Sequence, residues 1–171
     1  MILYGFRALA NHIDLLPSDI ERLQTSDWDI ICTFEEFQNL VKSFGNDILY
    51  AKPSFPTKYY IKTSKGNYDI SIINDNTSSN YMIYETLTSK CSNIITDKYN
   101  NEMIVAPFGL LFLMKKSHLF IRKNFKKHIE DYYRMRDVMH KHSVYKYIEI
   151  YEKRLAETLE RAKKQTAHIN L

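Results

Sequence analysis

Residues 27–36, Asp-Trp-Asp-Ile-Ile-Cys-Thr-Phe-Glu-Glu, contain a strand followed at once by the beginning of a helix. Alternate side chains of a strand lie on the same face, so Asp27 and Asp29 point one way and Trp28 points the other. Thr33 and Glu36 have the spacing of a capping box, and the apolar residues after them recur at helical spacing. The stretch therefore predicts a strand with an acidic face that is connected directly to an amphipathic helix.

Further strands and helices are predicted on both sides of this stretch. Strands are expected at Met1–Tyr4, Ile48–Ala51 and Lys58–Lys62, with a loop at Pro53 and Pro56, and the segments Tyr59–Thr63 and Tyr68–Ile73 are expected to form a hairpin. Helices are expected at residues 6–13, 17–23 and 79–87. From Pro107 onward the pattern is helical, with further helices at residues 124–140 and from residue 144 to the end. The fold class is α+β: a small mixed sheet with flanking helices in residues 1–100, followed by a helical domain in residues 101–171.

The composition excludes several classes of protein. With 44% hydrophobic and 26% charged residues, the chain is too apolar to be disordered and too charged to be a membrane bundle. The longest apolar stretch, Met103–Met114, is interrupted by Pro107 and is shorter than the ~20 residues of a membrane span. Its 2 cysteines cannot build a disulfide framework. We therefore expect a cytoplasmic protein with no membrane partner.

The formal net charge of +4 is divided unevenly along the chain. Residues 1–100 contain 9 Lys and Arg against 12 Asp and Glu, whereas residues 101–171 contain 15 against 8. A basic segment can bind phosphate-bearing partners, and an acidic segment can hold divalent metals. The alternative is that both are solvated surfaces of opposite sign.

Asp69 is a third carboxylate on a strand, within Tyr68-Asp69-Ile70-Ser71-Ile72. If its strand lies beside that of Asp27 and Asp29, the three carboxylates converge on one edge of the sheet. Convergent carboxylates repel one another unless a cation neutralises them, so a Mg²⁺ site is expected, with Mn²⁺ as the alternative ion. Such a site supports phosphoryl or nucleotidyl transfer.

The order of Gly5-Phe6-Arg7, a helical segment, Asp27-Trp28-Asp29 and then Asp69 resembles the nucleotidyltransferase superfamily, which includes DNA polymerase β and its minimal relatives. The resemblance implies a mixed sheet of nucleotidyltransferase type. It also implies that Asp27, Asp29 and Asp69 are the catalytic metal ligands and that Gly5 and its neighbours hold the nucleotide phosphates. The implied reaction moves a nucleotidyl group from a nucleoside triphosphate to a nucleic acid or another hydroxyl acceptor.

The basic helical half supplies candidate phosphate-binding side chains interleaved with aromatic residues. The expected nucleotide-binding set is Gly5, Phe6, Arg7, Lys115, Lys116, His118 and Arg122. The expected nucleic-acid-binding set, for RNA or DNA, is Lys123, Lys126, Lys127, Arg134 and Arg136.

Two alternatives stay open at this point. Phe6 stands where the superfamily has Ser or Gly, which favours a catalytically inactive module that binds nucleic acid, a nucleotide or a partner protein. A metal-dependent nuclease using the same carboxylates, with Lys62 or Lys65 nearby, is the third hypothesis. The oligomeric state and the identity of the nucleotide are left open by the sequence.

Overall fold

A computed structural model describes residues 1–55, 57–90, 93–119, 126–139 and 143–167. The chain forms two compact units, Met1–Pro107 and Phe108–Leu171. The first is a mixed α/β unit and the second is helical, which confirms the predicted fold class.

The first unit is built on a seven-stranded sheet with the order β3-β4-β5-β2-β1-β7-β6. The strands are β1 (Ile2–Tyr4), β2 (Trp28–Cys32), β3 (Ile48–Phe55), β4 (Lys58–Thr63), β5 (Gly66–Ile72), β6 (Ile94–Thr96) and β7 (Glu102–Val105). β2 runs parallel to β5, and β1 runs parallel to β7. The other neighbouring strands are antiparallel, including the predicted hairpin of β4 and β5.

The described residues of this unit form four helices: α1 (Gly5–Leu9), α2 (Pro17–Thr25), α3 (Phe34–Phe44) and α4 (Ser79–Thr88). α3 begins with the predicted capping box. The Thr33 hydroxyl accepts from the Glu36 amide at 3.2 Å, and the Glu36 carboxylate accepts from the Thr33 amide at 2.9 Å. A 3-10 turn at Gly45–Asp47 follows α3 and leads into β3.

The sheet face that carries Trp28 forms the hydrophobic core beneath α3. Trp28 stacks on Tyr68 with ring centroids 6.1 Å apart, and Phe44 of α3 packs 4.5 Å from the same tyrosine ring. The Tyr68 hydroxyl donates a hydrogen bond to Asp97 at 3.0 Å, and burial raises the pKa of Tyr68. With this face buried, the face that carries Asp29 is the one that can present polar groups.

Three features differ from the prediction. β3 continues through Pro53, where a loop was expected; β3 is an edge strand, and a proline there leaves no ladder hydrogen bond unmade. β6 and β7 were not predicted, because each is very short and their pairing is set by tertiary contacts. Since β7 pairs with β1, the first unit extends to Pro107 and does not end at residue 100.

The second unit contains α5 (Phe108–His118), α6 (Lys126–Val138), a 3-10 turn at Tyr145–Tyr147 and α7 (Ile148–Ala167). The helices pack through apolar side chains, and the rings of Phe112 and Tyr132 stack 5.4 Å apart between α5 and α6. In the part of the chain that the structure describes, no helix has both the length and the apolar composition needed to cross a bilayer.

Candidate functional site

Asp29 and Asp69 lie directly opposite each other on the neighbouring strands β2 and β5. Opposed residues of paired strands lie on the same sheet face about 4.8 Å apart, so the two side chains leave the sheet together. Asp27 comes immediately before β2, two residues from Asp29, and all three carboxylates are half-buried. The predicted adjacency of the two strands is confirmed.

Gly5 lies against the Asp29 side chain. β1 ends at Tyr4, which pairs with Asp29, and α1 begins at the next residue. Gly5 has a φ of +70°, which is in the left-handed region, and a Cβ atom built on it would overlap Oδ2 of Asp29 and lie 2.6 Å from Cγ. Both the backbone conformation and the lack of space require glycine here.

Arg7 connects α1 to the acidic strand. Its Nε donates to the Ser26 carbonyl at 3.0 Å, and its guanidinium lies 4.5 Å from the centre of the Trp28 ring. Burial lowers the pKa of Arg7, and the nearby Asp27 and Asp29 charges oppose that shift. Arg7 therefore holds the segment before β2 in place and adds positive charge beside the carboxylates.

Phe6 belongs to the hydrophobic interior. Its side chain is 6% exposed, and the Arg22 guanidinium lies 3.7 Å from the centre of its ring. The side chain joins α1 to α2, so only the backbone of Phe6 is left for the predicted contact with a nucleotide.

Tyr60 is a site residue that was not predicted. It lies opposite Asp69 on β4, and burial together with the charges of Asp27 and Asp69 raises its pKa. The signal was present in the alternation Lys58, Tyr60, Lys62, but reading it requires the register of the β4–β5 hairpin.

Among the described residues, no three His, Cys, Asp or Glu side chains are arranged as a group that could hold a metal ion. Asp27, Asp29 and Asp69 share a face but do not form a preassembled three-ligand cage. A Mg²⁺ ion is usually held by one or two carboxylates together with substrate phosphates and water. The oxygen donors of Asp29 and Asp69 fit that requirement.

Three predicted nucleotide-binding residues of the second unit have partners within it: Lys115, Lys116 and His118. Lys115 forms an ion pair with Asp131 at 2.9 Å, and both side chains are largely buried. Lys116 lies 5.2 Å from the Tyr151 ring, and His118 Nε2 is 3.4 Å from the Arg154 guanidinium. Lys115 is thus held largely inside the helical unit by its ion pair with Asp131.

The predicted nucleic-acid-binding residues are only partly covered by the structure. Lys123 of this set lies outside the described residues, as does Arg122 of the nucleotide-binding set. Lys126 and Lys127 belong to α6, and their side chains are not described. On the same helix Arg134 is half-buried, whereas Arg136 is exposed, contacts Asp137 at 3.2 Å and lies over the Tyr133 ring.

Comparison with known proteins places the first unit in a family. No match was found among the curated proteins. Residues 1–87, which run from β1 to α4 and include Asp27, Asp29 and Asp69, match the family model described as "Domain of unknown function (DUF7277)". Because the match covers just over half of the 171 residues, the chain belongs to this family.

Proposed function

We propose that the protein is a Mg²⁺-dependent nucleotidyltransferase, which moves a nucleotidyl group from a nucleoside triphosphate to a hydroxyl acceptor in the cytoplasm. The observation that carries the proposal is the pairing of Asp29 with Asp69 on adjacent parallel strands, with Asp27 two residues from Asp29. Carboxylates on one sheet face are suited to a divalent cation and to the phosphates that it binds.

The roles of the residues follow from their positions. Asp29 and Asp69 would hold Mg²⁺ together with the triphosphate, and Asp27 would contribute to the same acidic face. When bound, the ion would supply charge neutralisation for the phosphates and would acidify the attacking hydroxyl. A nucleotide that approaches Asp29 would meet the Gly5 backbone, because the Asp29 carboxylate lies directly against Gly5.

Arg7 supports this arrangement from the side. Its hydrogen bond to the Ser26 carbonyl and its position over the Trp28 ring restrain the segment that carries Asp27. The half-buried guanidinium stays charged and offsets part of the repulsion between Asp27 and Asp29 before any cation binds.

A catalytically inactive binding module is the second candidate. It is favoured by the lack of a preassembled three-ligand group in the described part of the chain. The two candidates differ in Mg²⁺ affinity, because an inert scaffold does not need to retain a metal site. Calorimetric titration of the protein with Mg²⁺, with and without a nucleoside triphosphate, distinguishes them.

The direct test measures transfer of label from each of the four α-labelled nucleoside triphosphates in the presence of Mg²⁺. Asp29→Asn and Asp69→Asn remove one negative charge each and are expected to lower the transfer rate by roughly a hundredfold or more. Asp137→Asn is the matched control, because this carboxylate is exposed on α6 and its loss should leave the rate unchanged. Trp28 fluorescence shows whether each variant is folded.

Undiminished transfer in both Asp29→Asn and Asp69→Asn would overturn the assignment. An equal loss in the Asp137→Asn control would overturn it as well, since the effect would then not belong to the carboxylate face.

A further inference from the structure

Among the side chains of β3 and β4 that the structure describes, five lie on the sheet face of the carboxylates: Tyr50, Lys52, Lys58, Tyr60 and Lys62. We call them the lysine–tyrosine face. Tyr60 lies opposite Asp69 on β5, and on its other side it lies opposite Lys52 on β3. Lys62 lies opposite Tyr50 in the same way. Opposed residues of paired strands have side chains on one face, so these five continue the surface that begins at Asp29.

The surface is continuous from the carboxylates to the edge of the sheet. The strand order β2-β5-β4-β3 involves three interstrand spacings of about 4.8 Å, so the surface extends about 14 Å from Asp29 to β3. The pKa of Tyr60 is raised by burial and by the charges of Asp27 and Asp69, so its hydroxyl lies within the electrostatic field of the acidic group. Tyr60 therefore lies at the junction of the two parts.

The lysines of this face are available to a ligand. Lys52 and Lys62 are exposed and Lys58 is half-buried, and none of the three forms an ion pair within the described residues. Lys65, just beyond β4, differs from them because it contacts Asp47 at 3.6 Å and lies over the Tyr99 ring. Positive charge without an ion pair therefore adjoins the carboxylates on this face.

The two tyrosines give the face a second type of contact. Tyr50 is 49% exposed, and the Lys52 ammonium lies 5.9 Å from the centre of its ring. Lysines bind a phosphate backbone without regard to sequence, and exposed aromatic rings stack on unpaired bases. An acidic peptide would use the lysines but would have no bases to stack, and a duplex would keep its bases paired.

We propose that the lysine–tyrosine face binds single-stranded nucleic acid and directs its terminal hydroxyl toward Asp27, Asp29 and Asp69. The orientation of the nucleic acid, with its terminal hydroxyl toward the carboxylates, rests on the proposed function. Its binding to the lysine–tyrosine face does not. The acceptor of the nucleotidyl group is then a single-stranded nucleic acid, and its binding surface is on the sheet of the first unit.

The test measures the fluorescence anisotropy of labelled oligo(U) and oligo(dT) of about 12 nucleotides with the full chain, without nucleotide or metal. The variant Lys52→Gln/Lys58→Gln/Lys62→Gln is expected to bind at least tenfold more weakly. The slope of log affinity against log salt should fall by about 2, since each phosphate contact contributes about 0.7 for a single strand. The matched control is Lys42→Gln/Lys98→Gln/Lys163→Gln, which removes the same charge from exposed positions elsewhere and should bind within about twofold of the wild type.

A second pair of variants tests stacking independently of charge. Tyr50→Phe keeps the ring and should bind like the wild type, whereas Tyr50→Ala should bind at least about fivefold more weakly. Because Tyr50 is on an exposed edge strand, neither variant removes a core contact, and circular dichroism checks the fold of each.

Three outcomes would overturn the inference. The first is that both lysine triples weaken oligonucleotide binding equally, and the second is that Tyr50→Phe and Tyr50→Ala bind the oligonucleotide with equal affinity. The third is that polyglutamate displaces the oligonucleotide as effectively as unlabelled oligo(U) does. Oligonucleotide binding that depends on this face, together with no transfer from any nucleoside triphosphate, would support the surface and refute the proposed function. Nucleotidyl transfer that depends on Asp29, with oligonucleotide binding unchanged in the lysine triple, would support the proposed function and refute the binding surface.

Discussion

Replacing Gly5 with alanine tests the close approach of β1 to the carboxylate face. The substitution has two costs. An L-residue in the left-handed region is disfavoured by about 1–2 kcal/mol. The new methyl group would also overlap Oδ2 of Asp29 and lie 2.6 Å from Cγ and 2.9 Å from Cβ, and such overpacking costs about 1–3 kcal/mol. We therefore expect Gly5→Ala to lower the free energy of unfolding by about 2–5 kcal/mol.

Gly45→Ala is a control for backbone strain without a clash. Gly45 also has a positive φ, +53°, but a Cβ atom built on it has no neighbour within 4 Å. Its ψ of −127° lies outside the left-handed helical region, so its substitution should cost about 1–3 kcal/mol through conformation alone. The contact with Asp29 is isolated by a double variant.

The measurement is urea unfolding followed by the fluorescence of Trp28, the single tryptophan, which is buried in the first unit. With a slope of about 2 kcal/mol per molar urea, the midpoint should fall by about 1–2.5 M for Gly5→Ala and by about 0.5–1.5 M for Gly45→Ala. Adding Asp29→Ala to Gly5→Ala removes the two nearest atoms, so the double variant should be more stable than the sum of the single effects by about 0.5–3 kcal/mol. Strict additivity in the double variant would refute the close approach.

Two further predictions concern buried groups. Asp131→Asn removes the carboxylate charge that lies 2.9 Å from the largely buried Lys115 ammonium. It should cost about 3–5 kcal/mol in urea unfolding followed by circular dichroism, against about 0–1 kcal/mol for the exposed Asp137→Asn. Equal losses in the two variants would contradict the burial of the pair. Burial raises the pKa of Cys32 from 9.0 to about 12, so the folded state favours the protonated thiol. The stability that this preference contributes is complete below pH 9. It is lost as the pH rises from about 9 toward 12. In a Cys91→Ser background, Ellman's reagent should label Cys32 in urea but not in the native protein, and equal labelling rates would show that the thiol is accessible.

Local signals in the sequence were sufficient to predict individual elements. The capping box of Thr33 and Glu36 is complete within four residues, and α3 begins where it places the helix. The alternation of Asp27, Trp28 and Asp29 likewise predicted which side of β2 is polar, because strand periodicity is a local property.

Pairings between distant segments could not be predicted in this way. β7 is only four residues long and lies beside β1 because Ile2 pairs with Ile104, a contact across nearly the whole first unit. The register that places Asp69 opposite Asp29 is also set by pairing between distant segments. A shift of one residue would turn Asp69 to the other face of the sheet. The sequence identified the carboxylates, and tertiary pairing determined which of them lie together.

The distribution of charge along the chain also differs from its distribution in space. Residues 1–100 carry an excess of acidic side chains, which suggested that phosphate-bearing partners bind the basic second half. In the sheet, however, Lys52, Lys58 and Lys62 come to the same face as Asp29 and Asp69, because β3 and β4 extend the sheet on that side. A bound strand or nucleotide experiences the charges of a face rather than the sum over a segment, since interactions between exposed charges decay within about 10 Å. An acidic group for a cation and a basic surface for phosphates can therefore lie on one sheet within a segment whose net charge is negative, and the first unit alone contains both.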